Sequence, residues 1–159
     1  MPLAGTSFLQ VSGQSAAVIP EDVRTGLMSR YNGGMVRTLS GIQPTGNLHI
    51  GNYLGALVNW VKLQNEYDAY FCVVDLHALT RRPDPEALRA AVRELAIGVI
   101  ASGVDPERAT LFVQSQVPQH VELAWIMMCL TPLGDLNRMT QFKDKSSDQP
   151  DNINAGLFT

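Results

Sequence analysis

Three observations predict an α/β fold, a Rossmann-like doubly wound parallel sheet. From residue 36 onward, short β-branched and aromatic runs alternate with longer segments of helical period. The run at 69–74 is apolar almost without interruption, as a strand buried on both faces requires. Strand, helix, strand, helix, strand within one chain closes into a parallel sheet through right-handed crossovers.

Residues 36–42 are the first strand, closed by the turn signal Gln43-Pro44-Thr45-Gly46-Asn47. A helix comes next, with Ile50, Leu54, Leu57, Val58 and Val61 at three- and four-residue spacing on one face. The second strand is the apolar run at 69–74. Asp84-Pro85-Glu86 then supplies an N-cap, a first-position proline and a first-turn acid. The helix begun there buries Leu88, Val92, Leu95, Val99 and Ile100, and Ser102-Gly103 ends it at a left-handed cap. Residues 110–113 are the third strand. Residues 121–130 read as a helix ended by Pro132, 133–142 as another, and the polar stretch 143–154 as a loop. The chain reaches Ala155-Gly156-Leu157-Phe158-Thr159 as a new apolar segment opens, so the fold is expected to be incomplete at its C-terminus.

Residues 1–34 differ from the rest. They are rich in Gly, Ser, Gln and Ala, lack a sustained period, and end in Asn32-Gly33-Gly34. A flexible N-terminal extension is expected there, or a start at Met35, with residues 35–159 forming the α/β unit.

The 159 residues are 45% apolar and 17% charged, which suits one soluble domain. A net charge of −3 argues against a chain-wide nucleic-acid patch. Cys72 and Cys129 stand far apart in apolar stretches with no C-x-x-C and no histidine at ligand spacing. They read as reduced core residues of a cytoplasmic protein with no bound metal. No apolar run approaches a membrane span, and the N-terminus lacks the basic start and apolar centre of a signal peptide.

In an open parallel sheet, ligands bind beyond the carboxyl ends of the strands. The first such turn runs into His49-Ile50-Gly51-Asn52. A helix N-terminus there offers free N–H groups and positive dipole to an anion. His49 and Asn52, three apart, project from one turn toward the same ligand, and Gly51 lets a flat ring or phosphate approach the backbone. No lysine follows a glycine as in a Walker A loop, and there is no G-x-G-x-x-G. From this spacing alone, phosphate binding and simple helix capping both stand.

Residues 40–56, Ser-Gly-Ile-Gln-Pro-Thr-Gly-Asn-Leu-His-Ile-Gly-Asn-Tyr-Leu-Gly-Ala, closely resemble the ATP-binding signature of tryptophanyl-tRNA synthetases, within the class I aminoacyl-tRNA synthetases. Asn52 stands where many class I members carry a second histidine. The resemblance continues through residues 70–80, 109–118 and 138–145, and covers residues 37–159 in order.

It implies the class I synthetase nucleotide-binding fold and ATP-dependent activation of tryptophan, with magnesium accompanying the nucleotide. The adenylate then passes to the tRNA. It further implies that Gln43, Pro44 and Thr45 contact ATP, that Gly51 and Asn52 contact adenosine and phosphate, and that His49 hydrogen-bonds the phosphates. His77 and Gln141 resemble residues lining the tryptophan pocket; Leu39 occupies a pocket-wall position where the family commonly carries an aromatic. Lys145 resembles a lysine that meets the ATP phosphates from a mobile loop. Catalysis would thus rest on His49, Asn52 and Lys145. The family also implies a homodimer at full length and no membrane partner.

Without the resemblance, His77 reads as a satisfied loop histidine, Gln141 as a helix-end polar group, and residues 143–145 as a solvated charge run. Trp60, Trp125, Met127 and Met128 read as core or partner-facing, and His120 as exposed. No KMSKS-type lysine signature occurs within the 159 residues, so little aminoacylation is expected of this chain alone. Two other readings compete: a small nucleotidylyltransferase with an HxGH-type turn, and a non-catalytic nucleotide-binding fragment or paralogue.

Overall fold

The computed structural model describes Gln10–Val11, residues 35–46 and residues 48–158. The expectation of a flexible extension over residues 1–34 lies outside the described residues, Gln10–Val11 excepted.

Among the described residues, four parallel strands form one sheet in the order β1 (Gln10–Val11), β2 (Arg37–Ile42), β3 (Asp68–Val73), β4 (Thr110–Val113). Arg37 pairs with Asp68 and Ile42 with Val73, while Val73 also pairs with Val113, so the carboxyl ends of three strands finish level. β3 lies between two neighbours and buries Ala69, Phe71, Cys72 and Val73. That is why its sequence is apolar on both alternations.

One helical run joins β2 to β3: α1 (Ile50–Asn52), a wide π turn (Tyr53–Leu57) and α2 (Val58–Glu66). The expected apolar face does not survive intact. Ile50 and Leu54 are 70% and 62% exposed, whereas Leu57 and Trp60 are buried. A π turn adds one residue to the helix and so rotates α1 about the axis relative to α2. The buried face becomes Leu57, Trp60 and Gln64.

After β3 come α3 (Asp75–Ala78) and α4 (Pro85–Ala101). Asp84 caps α4 by accepting from the Glu86 and Ala87 amides at 3.0 and 2.9 Å. Leu95 and Val99 are buried, Leu88 and Val92 half-buried, and Ile100, expected inside, is 46% exposed at the last turn. Beyond Ser102, Gly103 takes φ +106°, as the sequence signal required. Buried Gln64 spans this connection: its amide donates to the Gly103 carbonyl at 3.0 Å and accepts from the Asp105 amide at 2.8 Å.

The core lies between α2, α4 and the sheet. Trp60 stacks on Phe71 with centroids 4.4 Å apart, and its indole N–H donates to Ser40 Oγ at 2.9 Å. Ile42, Leu57, Val73, Val99 and Val104 complete it.

α5 (Pro118–Leu130), α6 (Leu133–Leu136) and α7 (Thr140–Asp148) come after β4. The single helix expected at 133–142 is two, broken before Thr140. The stretch expected to be a loop is helical as far as Asp148. No Gly or Pro interrupts residues 140–149, and Phe142 anchors α7 by stacking on Phe158 at 4.2 Å. No residue of α5 is buried: Leu123, Trp125, Ile126 and Leu130 are all more than half exposed. Cys129 is therefore exposed, against the core position expected of it, whereas Cys72 is buried.

Candidate nucleotide site at the strand ends

Past β2 the chain turns sharply. The Thr45 amide donates to the Gln43 carbonyl at 2.9 Å, buried Pro44 sits between them, and Gly46 takes φ +73°, which a side chain would oppose. Leu48 then packs against Gly98 of α4. These residues, with Ala91, Glu94, Leu95 and Ile97, line a largely apolar cavity of about 330 Å³.

His49 caps the helix. Its backbone is extended (φ −127°, ψ 169°), and its Nδ1 accepts from the Gly51 amide at 3.1 Å. Asn52 Oδ1 returns the bond by accepting from the His49 amide at 3.1 Å, which completes a capping box. The capping alternative read from the spacing is thus real, and it has a chemical result. An Nδ1 that accepts is unprotonated, so the neutral ring carries its proton on Nε2 and offers it outward. The cap makes His49 a donor. Gly51 is required beside it, since a Cβ there would lie 2.9 Å from His49 Cε1.

Of the predicted residues, Gln43 and Thr45 meet in the turn, and His49, Gly51 and Asn52 meet in the cap. Leu39 is half-buried in mid-β2, paired with Tyr70. His77 lies in α3, just past the carboxyl end of β3, with Nδ1 3.1 Å from Gln114 Oε1. Gln141 and Lys145 stand four apart on α7, a spacing that puts them on one helix face. No hydrogen bond among the described residues joins that pair to the turn. Lys145 thus sits on a helix and not on the loop expected.

Sequence reasoning missed Asp75, Gln114 and Ser115. Asp75 Oδ1 accepts from the Ser115 amide and from the Leu76 amide, each at 3.0 Å, and so clamps the ends of β3 and β4 together. Position was the available signal, because each lies within two residues of a strand end. His120, expected exposed, is half-buried with its ring 5.9 Å from that of Phe112. Among the described residues, no group of three or more His, Cys, Asp or Glu side chains could hold a metal ion. No helix among them is long and apolar enough to cross a membrane.

The family model of class I tRNA synthetases (W and Y) matches residues 31–159. The tryptophan–tRNA ligase of Clostridium tetani is 61% identical over 119 residues, covering 75% of this chain and 35% of that protein. That of Wolinella succinogenes is 57% identical over 122 residues, covering 77% and 37%. A tryptophanyl-tRNA synthetase from Campylobacter jejuni, solved with ADP and tryptophan, superposes with a TM-score of 0.72 at 36% identity. That match covers 77% of this chain and 38% of that one. The chain spans a little over a third of the length of the curated relatives it matches. Sheet, turn and sequence agree on one conclusion: this chain belongs to the class I tRNA synthetases (W and Y).

Proposed function

We propose that the chain is the nucleotide-binding N-terminal part of a cytoplasmic tryptophan–tRNA ligase, which activates tryptophan with ATP and transfers it to its tRNA. The single observation that carries this reading is the capped turn, where His49 holds an N–H outward at the start of the helical run past β2. The ADP and tryptophan held by the Campylobacter jejuni relative support both substrates.

Activation joins the tryptophan carboxylate to the α-phosphorus of ATP; the bond to the bridging oxygen breaks and pyrophosphate leaves. The nucleophile is already ionised, so no general base is needed. What remains is to place two anions together and to stabilise charge growing on phosphate oxygens. Magnesium arrives with the nucleotide and neutralises part of that charge. Neutral donors at a helix start suit the task, because they stabilise the phosphate without neutralising the attacking carboxylate. Gln43, Pro44 and Thr45 border the nucleotide, Gly51 and Asn52 its adenosine and phosphate, and Lys145 contributes a cation to the phosphates. Leu39, His77 and Gln141 belong to the amino-acid side of the site. At full length the enzyme pairs as a homodimer.

ATP titration of the chain, monitored by calorimetry, tests the reading. Binding is expected, and Gly51→Ala is expected to weaken it about tenfold by forcing His49 off its cap. Little aminoacylation is expected from the 159 residues alone. Absence of nucleotide binding overturns the site assignment, and robust tryptophanyl-tRNA formation overturns the expectation of little activity.

A further inference from the structure

Gln114 is the first residue past β4 and has no part in the proposed nucleotide and amino-acid contacts. Its side-chain Oε1 lies 3.1 Å from Nδ1 of His77, which is carried on the neighbouring strand's outgoing turn. An amide oxygen only accepts, so the bond requires a proton on Nδ1 and leaves the lone pair on Nε2. This is the reverse of His49, whose Nδ1 accepts and whose Nε2 donates.

Both backbones that carry the pair are held in place. The Ser115 amide, next to Gln114, donates to Asp75 Oδ1 at 3.0 Å, and the Thr80 hydroxyl donates to the His77 carbonyl at 2.8 Å. The Val117 amide donates to the Gln114 carbonyl at 3.1 Å. Both side chains are half-buried, where a satisfied hydrogen bond holds a ring orientation better than it would in open water.

We infer that Gln114 is a positioning residue that locks His77 in its Nδ1–H form, so that Nε2 accepts a hydrogen bond from an N–H group of the amino-acid substrate. The chemistry sorts the ligand. Phosphates and carboxylates are acceptors and gain nothing from an Nε2 lone pair, whereas an ammonium or an indole N–H does. The two histidines thus divide the strand ends into a donor for anions and an acceptor for N–H groups. The ligand half of this inference rests on the tryptophan reading; the tautomer half does not.

The test is long-range proton–nitrogen correlation NMR on the 159-residue chain with labelled histidine, in alkaline buffer where free imidazole is neutral. The Nδ1–H signature is expected for His77, with its Nε2 resonance shifting on addition of tryptophan. Gln114→Leu removes the acceptor at similar volume and should release the tautomer and weaken tryptophan binding about tenfold. Gln114→Glu keeps an acceptor oxygen and should retain the Nδ1–H form. Unfolding midpoints of each variant separate loss of the lock from loss of the fold. An Nε2–H signature in the unsubstituted chain overturns the inference, as does a tautomer unmoved by Gln114→Leu. Tryptophan that binds without moving Nε2 overturns the role of His77 while the proposed function stands. If the lock is present but tryptophan does not bind, the functional reading falls and takes the ligand half with it.

Discussion

The indole of Trp60 stacks on Phe71, donates to Ser40 Oγ and fills the space under the β2–β3 pair. Trp60→Phe keeps the stack but removes the donor and part of the volume, and is expected to cost about 2 kcal/mol. Urea denaturation would show the midpoint fall. The two cysteines separate as clearly. Burial, and then the charge of Asp75, push the Cys72 thiol up from 9.0 to about 12. The unfolded thiol therefore ionises first. Its contribution to stability is whole below about pH 9 and declines as pH rises from there toward 12. At neutral pH a thiol reagent should modify exposed Cys129 quickly and Cys72 only on unfolding. Single residues were legible in the sequence where a local bond fixes them, as at the caps His49 and Asp84. They were illegible where a distant partner decides. Gln114 faces His77 across 37 positions, and Cys129 is exposed because nothing in the described residues covers α5.

Elements were legible in proportion to how many constraints wrote them. β3 is buried on both faces and α4 carries a cap, a proline and a left-handed exit, so period and punctuation agree. The Asp84 carboxylate satisfies two amides at the start of α4. Asp84→Ala should lower stability by about 1 kcal/mol, read as a drop in the thermal midpoint. The π turn left no such mark, because its sequence suits an ordinary helix as well. The wider turn lies between two fixed points, the cap bond of Asn52 and buried Trp60. α7 failed in the other direction. Its composition is that of a solvated loop, and the Phe142–Phe158 stack that holds it spans sixteen positions.

At the scale of the whole molecule, the two ends of the sheet are built differently. Arg37 and Asp68 pair at 3.0 Å across the starts of β2 and β3, an exposed ion pair of small energetic weight. The opposite end carries the capped turn, the Asp75 clamp and the His77–Gln114 pair. Beyond it lies α5, apolar without interruption from Leu123 to Leu130 and more than half exposed at most of its large side chains. Helices of that character are covered in a stable assembly. The chain is expected to bind a hydrophobic dye and to associate as its concentration rises. Trp125→Glu should reduce both, measured by dye fluorescence and sedimentation velocity. The wide turn sets stability against use. Deleting Gly55 would restore a regular pitch and swing Ile50 and Leu54 toward the interior, a gain in buried apolar area. The same deletion would throw His49 and Asn52 about a quarter-circle out of phase with the strand ends. A regular helix and a capped turn held in phase with the strand ends therefore call for different lengths of chain between Asn52 and Val58.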